Sequence, residues 1–488
     1  MYSITPRHEQ RLLWLLALTQ FTIIMDFMVM MPLGPQIMHA FGIAPAAFAT
    51  AVSAYSWCSG LSGLFAATYI DRFDRRRLLL TIYALFALSN LACALASSFA
   101  LLLAARAFAG ITGGVLGSVI MAIVGDVIPV QRRGAATGTI MTAFSLAAIA
   151  GVPAGVMLGA QFGWAAPFFL LVALSLLVWV AGAQLVPSLA AHLNRQQPPL
   201  AEVLPELWRL LTKPRHLNAF ALTFMMMIAH MLVIPFISPM LVANHGVAPR
   251  QLSWLYMAGG AATFFTSRYV GRLADRFGTQ RVFRCAALVS LVPVLFVTHL
   301  PDLPFYALVL FFSCFLVVMN GRMVPMQALL TTVPEPARRG AFLSANSALQ
   351  ALGTGTGAWL GGLMLGTSTT GRIVGYGTVG WVAVAVAFAA VLWVSRVKSA
   401  PRDAAAAGVA NVAGVTETAE LANVTSATGD AARHTNANTE AGAGAGASKS
   451  DAPALTQTHA RDGTPAIAPN ANDVLSAMNG NPNIAREG

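Results

Sequence analysis

A chain of 488 residues with only 10% charged and 56% hydrophobic residues, and a mean hydropathy of +0.66, is not a soluble globular protein. Soluble domains carry about 25% charged residues. The net charge of +11 is no sign of a nucleic-acid partner, because the basic residues cluster between apolar stretches on one side, an arrangement that sets membrane orientation.

Arg7 and Arg11 precede an apolar run, Leu12–Gly34, that is too long for the core of a signal peptide and contains Asp26. It is expected to be a first membrane helix. Further stretches of roughly the 20 residues needed to cross a bilayer follow near 47–70, 78–98, 100–124, 135–160 and 166–187, completing a first half over residues 1–190. Residues 191–216 form a linker in which Leu200, Val203, Leu204, Leu207 and Leu211 recur at helical spacing. That pattern predicts a short amphipathic helix lying on the inner membrane surface. Six more stretches, near 217–241, 251–270, 282–300, 305–333, 341–366 and 375–395, fill a second half over 217–396. Residues 397–488 turn to Ala, Thr, Asn, Gly and Asp without an apolar periodicity, and a disordered cytoplasmic tail is expected there. The fold class expected is an all-α membrane protein of twelve transmembrane helices.

The halves are copies. Asp71-Arg72-Phe73 and Asp275-Arg276-Phe277 lie 204 residues apart, and Arg132-Arg133-Gly134-Ala135 and Arg338-Arg339-Gly340-Ala341 lie 206 apart. A duplicated helical bundle is the architecture of a carrier that rocks one half against the other around a central site. Arginines fill the segments that carry these landmarks, whereas the opposite loops hold only Arg250 and Arg372, so both chain ends are expected in the cytoplasm. Cys58, Cys93, Cys285 and Cys314 all fall inside spans without metal-ligand spacing, which argues against a metal site or a disulfide framework.

Asp26 is the sole acidic residue deep inside a span. A carboxylate in hydrocarbon costs several kcal/mol unless it is paired or hydrated, which makes it a candidate for proton or substrate coupling. Arg106 sits at a similar depth in its own span, roughly 10 Å below the surface at about 1.5 Å per residue, and is its expected partner. His230 lies 204 residues after Asp26, and both precede a pair of prolines, Pro32 and Pro35 in one case and Pro235 and Pro239 in the other. Asn320 and Arg322, late in a span, are weaker candidates. Gly151, Gly155 and Gly159, with Pro153 among them, recur every fourth residue, as Gly353, Gly357 and Gly361 do in the matching helix. Such stripes let helices approach closely, and these two helices are expected to line contacts that open and close. The run Gly353–Gly357 lies inside an apolar span with no preceding strand and is no dinucleotide loop. Asp71 and Asp275, at helix ends beside basic clusters, are expected to pair with arginine or a helix N-terminus in one conformation and release it in another, as a cytoplasmic latch.

Together these residues resemble the major facilitator superfamily, within it the twelve-helix drug:proton antiporter-like permeases, over about residues 10–396. The segment Gly271-Arg272-Leu273-Ala274-Asp275-Arg276-Phe277-Gly278 is close to the family's cytoplasmic signature. In its first copy Asp71 and Arg72 remain, while Ala67 and Asp74 replace glycines. Arg106 with Gly110 matches the fourth-helix motif, in which the arginine is linked to proton coupling. Gly151-Val152-Pro153-Ala154-Gly155, followed by Gly163-Trp164, is similar to the sugar- or nucleoside-efflux branch and departs from the multidrug pattern. The resemblance implies a monomeric carrier of a bacterial inner membrane with a cavity between its halves. It would move a small molecule outward by alternating access, with the proton gradient as energy source and no cofactor. Uptake by proton symport or facilitation is the alternative. A membrane sensor or enzyme is disfavoured, since the sequence has no nucleotide loop, metal cluster or nucleophile constellation. The substrate is open: Asp26 suits a cationic drug, or protons alone.

Overall fold

The computed structural model describes residues 5–129, 132–190, 193, 205, 208–335 and 338–400. Leu200, Val203, Leu204 and Leu207 of the expected linker helix and the tail beyond residue 400 lie outside these residues.

The first half comprises α1 (Pro6–Val29), α2 (Gly34–Phe41), α3 (Pro45–Tyr69), α4 (Arg75–Ala94), α5 (Phe99–Val127), α6 (Arg133–Leu146), α7 (Val152–Phe162) and α8 (Ala166–Leu185). The second comprises α9 (Pro214–Met231), α10 (Ile237–His245), α11 (Pro249–Phe277), α12 (Thr279–Val289), α13 (Leu291–Thr298), α14 (Phe305–Gly321), α15 (Met323–Leu330), α16 (Arg339–Leu363) and α17 (Tyr376–Trp393). Proline opens many of these helices, as Pro6, Pro45, Pro167, Pro214 and Pro249 do, where its missing N–H costs nothing. Asp74 caps α4 by accepting the Arg76 amide at 3.0 Å, and Ser98 caps α5 through the Leu101 amide at 3.3 Å. At the end of α11, Gly278 has φ +90°, a conformation that side chains rarely adopt.

Nine described helical segments are long and apolar enough to cross a membrane, or ten if α2 and α3, bent by 117°, form one broken span. The other two expected spans are α11 and α16, helices of 29 and 25 residues that are less apolar. Each packs along the opposite half, α11 on α7 and α16 on α3, so both need less lipid-compatible surface. The first helix of each half breaks at its prolines: α1 gives way to α2 after residues 30–33, and α9 gives way to α10 through Ile234–Phe236. A π-helical turn, Ala147–Gly151, joins α6 to α7 just before Pro153, whose ring excludes a regular helix there. A two-stranded hairpin, β1 (Gly366–Thr367) with β2 (Ile373–Val374), links α16 to α17 and was not legible in the sequence.

The two glycine-striped helices both run along the other half, but the stripes themselves face their own half. Gly151, Gly155 and Gly159 lie on Met25, Val29 and Leu33 of the α1 segment. Gly353, Gly357 and Gly361 lie on the backbone of Phe224, Ile228 and Leu232. Gly110 likewise lies on the Tyr55 carbonyl within the first half. The halves meet instead through neighbouring small residues. Gly355 and Gly362 approach Ser53 and Ala49 of α3, Gly60 approaches Ala348, and Gly260 of α11 approaches the Ala148 carbonyl in the π turn. Trp57 donates to Thr356 at 3.2 Å across the same seam, and Gly34 of α2 abuts Pro239 of α10. All these ties lie towards the ends opposite the arginine clusters or at mid-helix, and the halves are joined there.

A Cβ on Gly357 would sit 2.7 Å from the Ile228 carbonyl oxygen, whereas one on Gly117 would meet nothing within 4 Å. Gly357→Ala should therefore destabilise the detergent-solubilised protein by about 1–3 kcal/mol, the range for overpacking. Gly117→Ala should leave the melting temperature unchanged or slightly raised. Equal melting temperatures for the two variants would contradict this packing.

Candidate functional site

The structure brings Asp26 of α1 and Arg106 of α5 together. Arg106 Nη1 donates to Asp26 Oδ1 at 2.6 Å, and both residues are 0% exposed. The Arg106 guanidinium also lies 4.3 Å from the centre of the Tyr55 ring on α3. Tyr55 stacks on Phe27 and donates to the Ile23 carbonyl at 3.4 Å, which fixes the aromatic floor of the pair. The pair is under-bonded: Asp26 Oδ2 and Arg106 Nε and Nη2 have no hydrogen-bond partner among the described residues. The sequence pointed to the two charges but not to Tyr55, which carries no charge pattern to mark it.

The fourth span of the second half also carries a buried arginine, nearer its opposite end and in different surroundings. Arg322 sits between α14 and α15, 1% exposed, and Nη1 donates to Ser290 Oγ at 2.8 Å. His230 of α9, partly exposed, places Nδ1 at 3.5 Å from Arg322 Nη2. The two candidates named separately in the sequence thus meet each other. Asn320 turns away and donates to the Leu316 carbonyl at 2.9 Å. Ser290 had no signal in the sequence; it stands at the break between α12 and α13.

At the arginine-bearing end of the first half, Asp71 pairs with Arg75 at 2.5 Å, and Arg75 also reaches Asp126 at 2.9 Å and the Ile70 carbonyl at 2.7 Å. Arg75 is only 3% exposed and ties α4, α5 and the turn after α3 into one unit. Its spacing of four from Asp71 was a legible signal. Arg72 is exposed. In the second half Asp275 is exposed and has no ion-pair partner among the described residues. Arg276 lies over Phe277 at 5.3 Å, and Gly271 and Gly278 face open space. The two copies of the motif are therefore in different states. Glu335, in the loop before α16, is held below the usual carboxylate range by its hydrogen bond and charge contact with Lys213, at 2.7 Å.

Two bundled halves, each with a buried arginine on its fourth span, define a transmembrane carrier architecture. The Major Facilitator Superfamily profile matches residues 16–230 and 219–435, and the chain belongs to that superfamily of secondary transporters. It is thus a multi-pass membrane transporter for a small molecule, and like the rest of its family neither an enzyme nor dependent on a cofactor. An "Uncharacterized MFS-type transporter YtbD" of Bacillus subtilis (strain 168) is 28% identical over 203 residues, 42% of this chain and 50% of its own length. The chain spans about half of that relative. A "Probable sugar efflux transporter" of Helicobacter acinonychis (strain Sheeba) is 24% identical over 366 residues, covering 73% of this chain and 87% of its own. A solved D-xylose-proton symporter shares the fold at a TM-score of 0.65 and 15% identity, covering 79% of this chain and 97% of its own.

Removing one member of the Asp26–Arg106 pair leaves the other charge buried and unpaired, typically at a cost of about 3–5 kcal/mol. Asp26→Asn and Arg106→Gln should each lower the melting temperature in detergent, and the double variant should lose clearly less than the sum. Additive losses would mean that the two side chains do not act as a pair.

Proposed function

We propose that the protein is a proton-driven exporter that exchanges protons for a small molecule by alternating access. We place it in a bacterial inner membrane as a monomer with both termini cytoplasmic. The under-bonded Asp26–Arg106 pair carries this reading. Arg106 holds the Asp26 carboxylate in a site closed to bulk water, while Oδ2 stays open to a proton. Proton arrival neutralises the carboxylate and frees the guanidinium, which changes what the surrounding helices can hold. The motif Gly271–Gly278 with Asp275, and its first copy with Asp71 and Arg72, act as the cytoplasmic gate. With the halves joined at the opposite ends and Asp275 without an ion pair among the described residues, this conformation faces the cytoplasm. The name of the Helicobacter acinonychis relative supports outward transport of a sugar-like solute.

Extracellular metabolites of strains overproducing the protein and its Asp26→Asn variant identify a solute to test in everted membrane vesicles. Uptake into those vesicles should follow the imposed proton gradient, collapse with a protonophore and vanish in Asp26→Asn while the variant still inserts. Accumulation in right-side-out vesicles instead would establish import, and gradient-driven uptake by Asp26→Asn would remove the carboxylate from coupling.

The gate makes its own demand. Asp275→Asn and Asp71→Asn should each shift the labelling of single cysteines placed along α3 and α11 between the two membrane faces, because a latch sets the balance of the two states. Labelling profiles matching the parent in both variants would reduce these aspartates to orientation charges.

A further inference from the structure

Each half buries an arginine on its fourth span, Arg106 near the start of α5 and Arg322 near the other end between α14 and α15, but among the described residues only Arg106 is neutralised. Arg106 has Asp26. Residues 217–396 contain three acidic residues, Asp275, Asp302 and Glu335, and each lies elsewhere. Asp302 pairs with His245 at 3.1 Å, Glu335 with Lys213 at 2.7 Å, and Asp275 stands exposed at the end of α11. None lies within ion-pair distance of Arg322. A guanidinium does not give up its proton in proteins, so this charge persists. It stands eight residues before the end of α15 at Leu330, about 12 Å in at about 1.5 Å per residue. A lone cation at that depth is costly and marks a site by default.

The geometry also gives the shape of what is missing. Ser290 occupies Nη1, while Nε has no partner among the described residues and Nη2 has only His230 at 3.5 Å, the limit of a hydrogen bond. Nε and Nη2 form one edge of the guanidinium, the edge that binds both oxygens of a carboxylate side by side. His230 is partly exposed and flanks that edge, giving a solute its approach.

We propose that Arg322, flanked by His230 and Ser290, is the anion subsite of the transporter, and that the transported solute carries a carboxylate which docks side-on against Nε and Nη2. This rests on the transport reading above and narrows it to organic acids. Asp26 is already engaged by Arg106, so among the described residues the buried charge left without an ion pair at Arg322 is positive and suits an anionic solute. Arg322 and Arg106 then divide the labour, one for the solute and one for the proton.

Acetate is the smallest probe with the required chemistry. The full-length protein in lipid nanodiscs is melted in sodium acetate, in sodium chloride at the same ionic strength, and in sodium chloride with acetamide. Acetate at 100 mM should raise the melting temperature by about 2 °C over both controls, as a weak ligand of the folded state does. Arg322→Gln should abolish that rise, and its melting temperature in chloride should equal or exceed the parent's, because an uncompensated charge has been removed. If Arg322→Gln shows no cooperative transition, Arg322→Lys takes its place; it keeps the charge but loses the two-pronged edge, and the rise should fall by at least half. A rise of the same size in the parent and these variants, or no difference between acetate and its controls in the parent, overturns the proposal. No gradient or transport enters the measurement. A protein that binds acetate through Arg322 but moves nothing in vesicles would keep this subsite and lose the transport reading.

Discussion

Charge in hydrocarbon is the constraint on which the architecture turns. A soluble protein leaves its arginines in water, but a helix bundle in lipid must place each deep charge against a partner or a hydrated space. The first half obeys twice. Arg106 is closed in by Asp26 and Tyr55, and Arg75 by Asp71, Asp126 and the Ile70 carbonyl. The second half keeps a buried arginine and replaces the aspartate of the first half with His230. Duplication therefore preserved the scaffold while the two sites diverged in sign: one neutral as a pair, one cationic.

Packing meets a second constraint of the same solvent. Lipid tails are as apolar as leucine, so burial alone draws helices together weakly, and close backbone approach has to replace it. The structure uses small residues at two seams. Gly353, Gly357 and Gly361 seat α16 on α9 inside the second half, while Gly355 and Gly362 of the same helix face α3 across the seam between halves. One helix thus belongs rigidly to its own half with one face and meets the other half with a different one. The tight stripe packs the helix within its half, and the neighbouring face is the surface that would part in the proposed alternating access.

Much of this was legible in the sequence because the bilayer imposes length and composition. The duplicated landmarks and the long apolar runs give the helix order, and Asp26 with Arg106 at equal depth gives the pair. The partners of the glycine stripes were not legible, because a four-residue spacing marks a close face without saying which neighbour it meets. Gly355 and Gly362 stand within the same run as the stripe and differ only in the face they occupy. Ser290 escaped notice because its role depends on the break between α12 and α13, which Pro293 causes by withholding a bond from the Val289 carbonyl and which the apolar run did not bring out. The polar composition of α11 and α16 placed them below the apolarity of a lipid-facing helix, and their position between the halves accounts for it.

The hairpin between α16 and α17 sets how the far end moves. Asn244, near the end of α10, bonds both backbone groups of Ile373, donating to its carbonyl at 2.9 Å and accepting from its amide at 2.8 Å. A side chain thus serves as an extra strand rung and welds α10 to the hairpin, both of which belong to the second half. The hairpin and α10 thus form one unit within the second half, and β1 also touches α3 of the first. If the halves part at that end, as the proposed alternating access requires, the Asn244 bonds stay within one half, and what is surrendered is small-residue contact together with the Trp57–Thr356 bond, worth about 0.5–1.5 kcal/mol net. The far side is sealed by shape rather than by charge, so ionic strength should have little hold on its opening, while bilayer thickness and lateral pressure have a direct one.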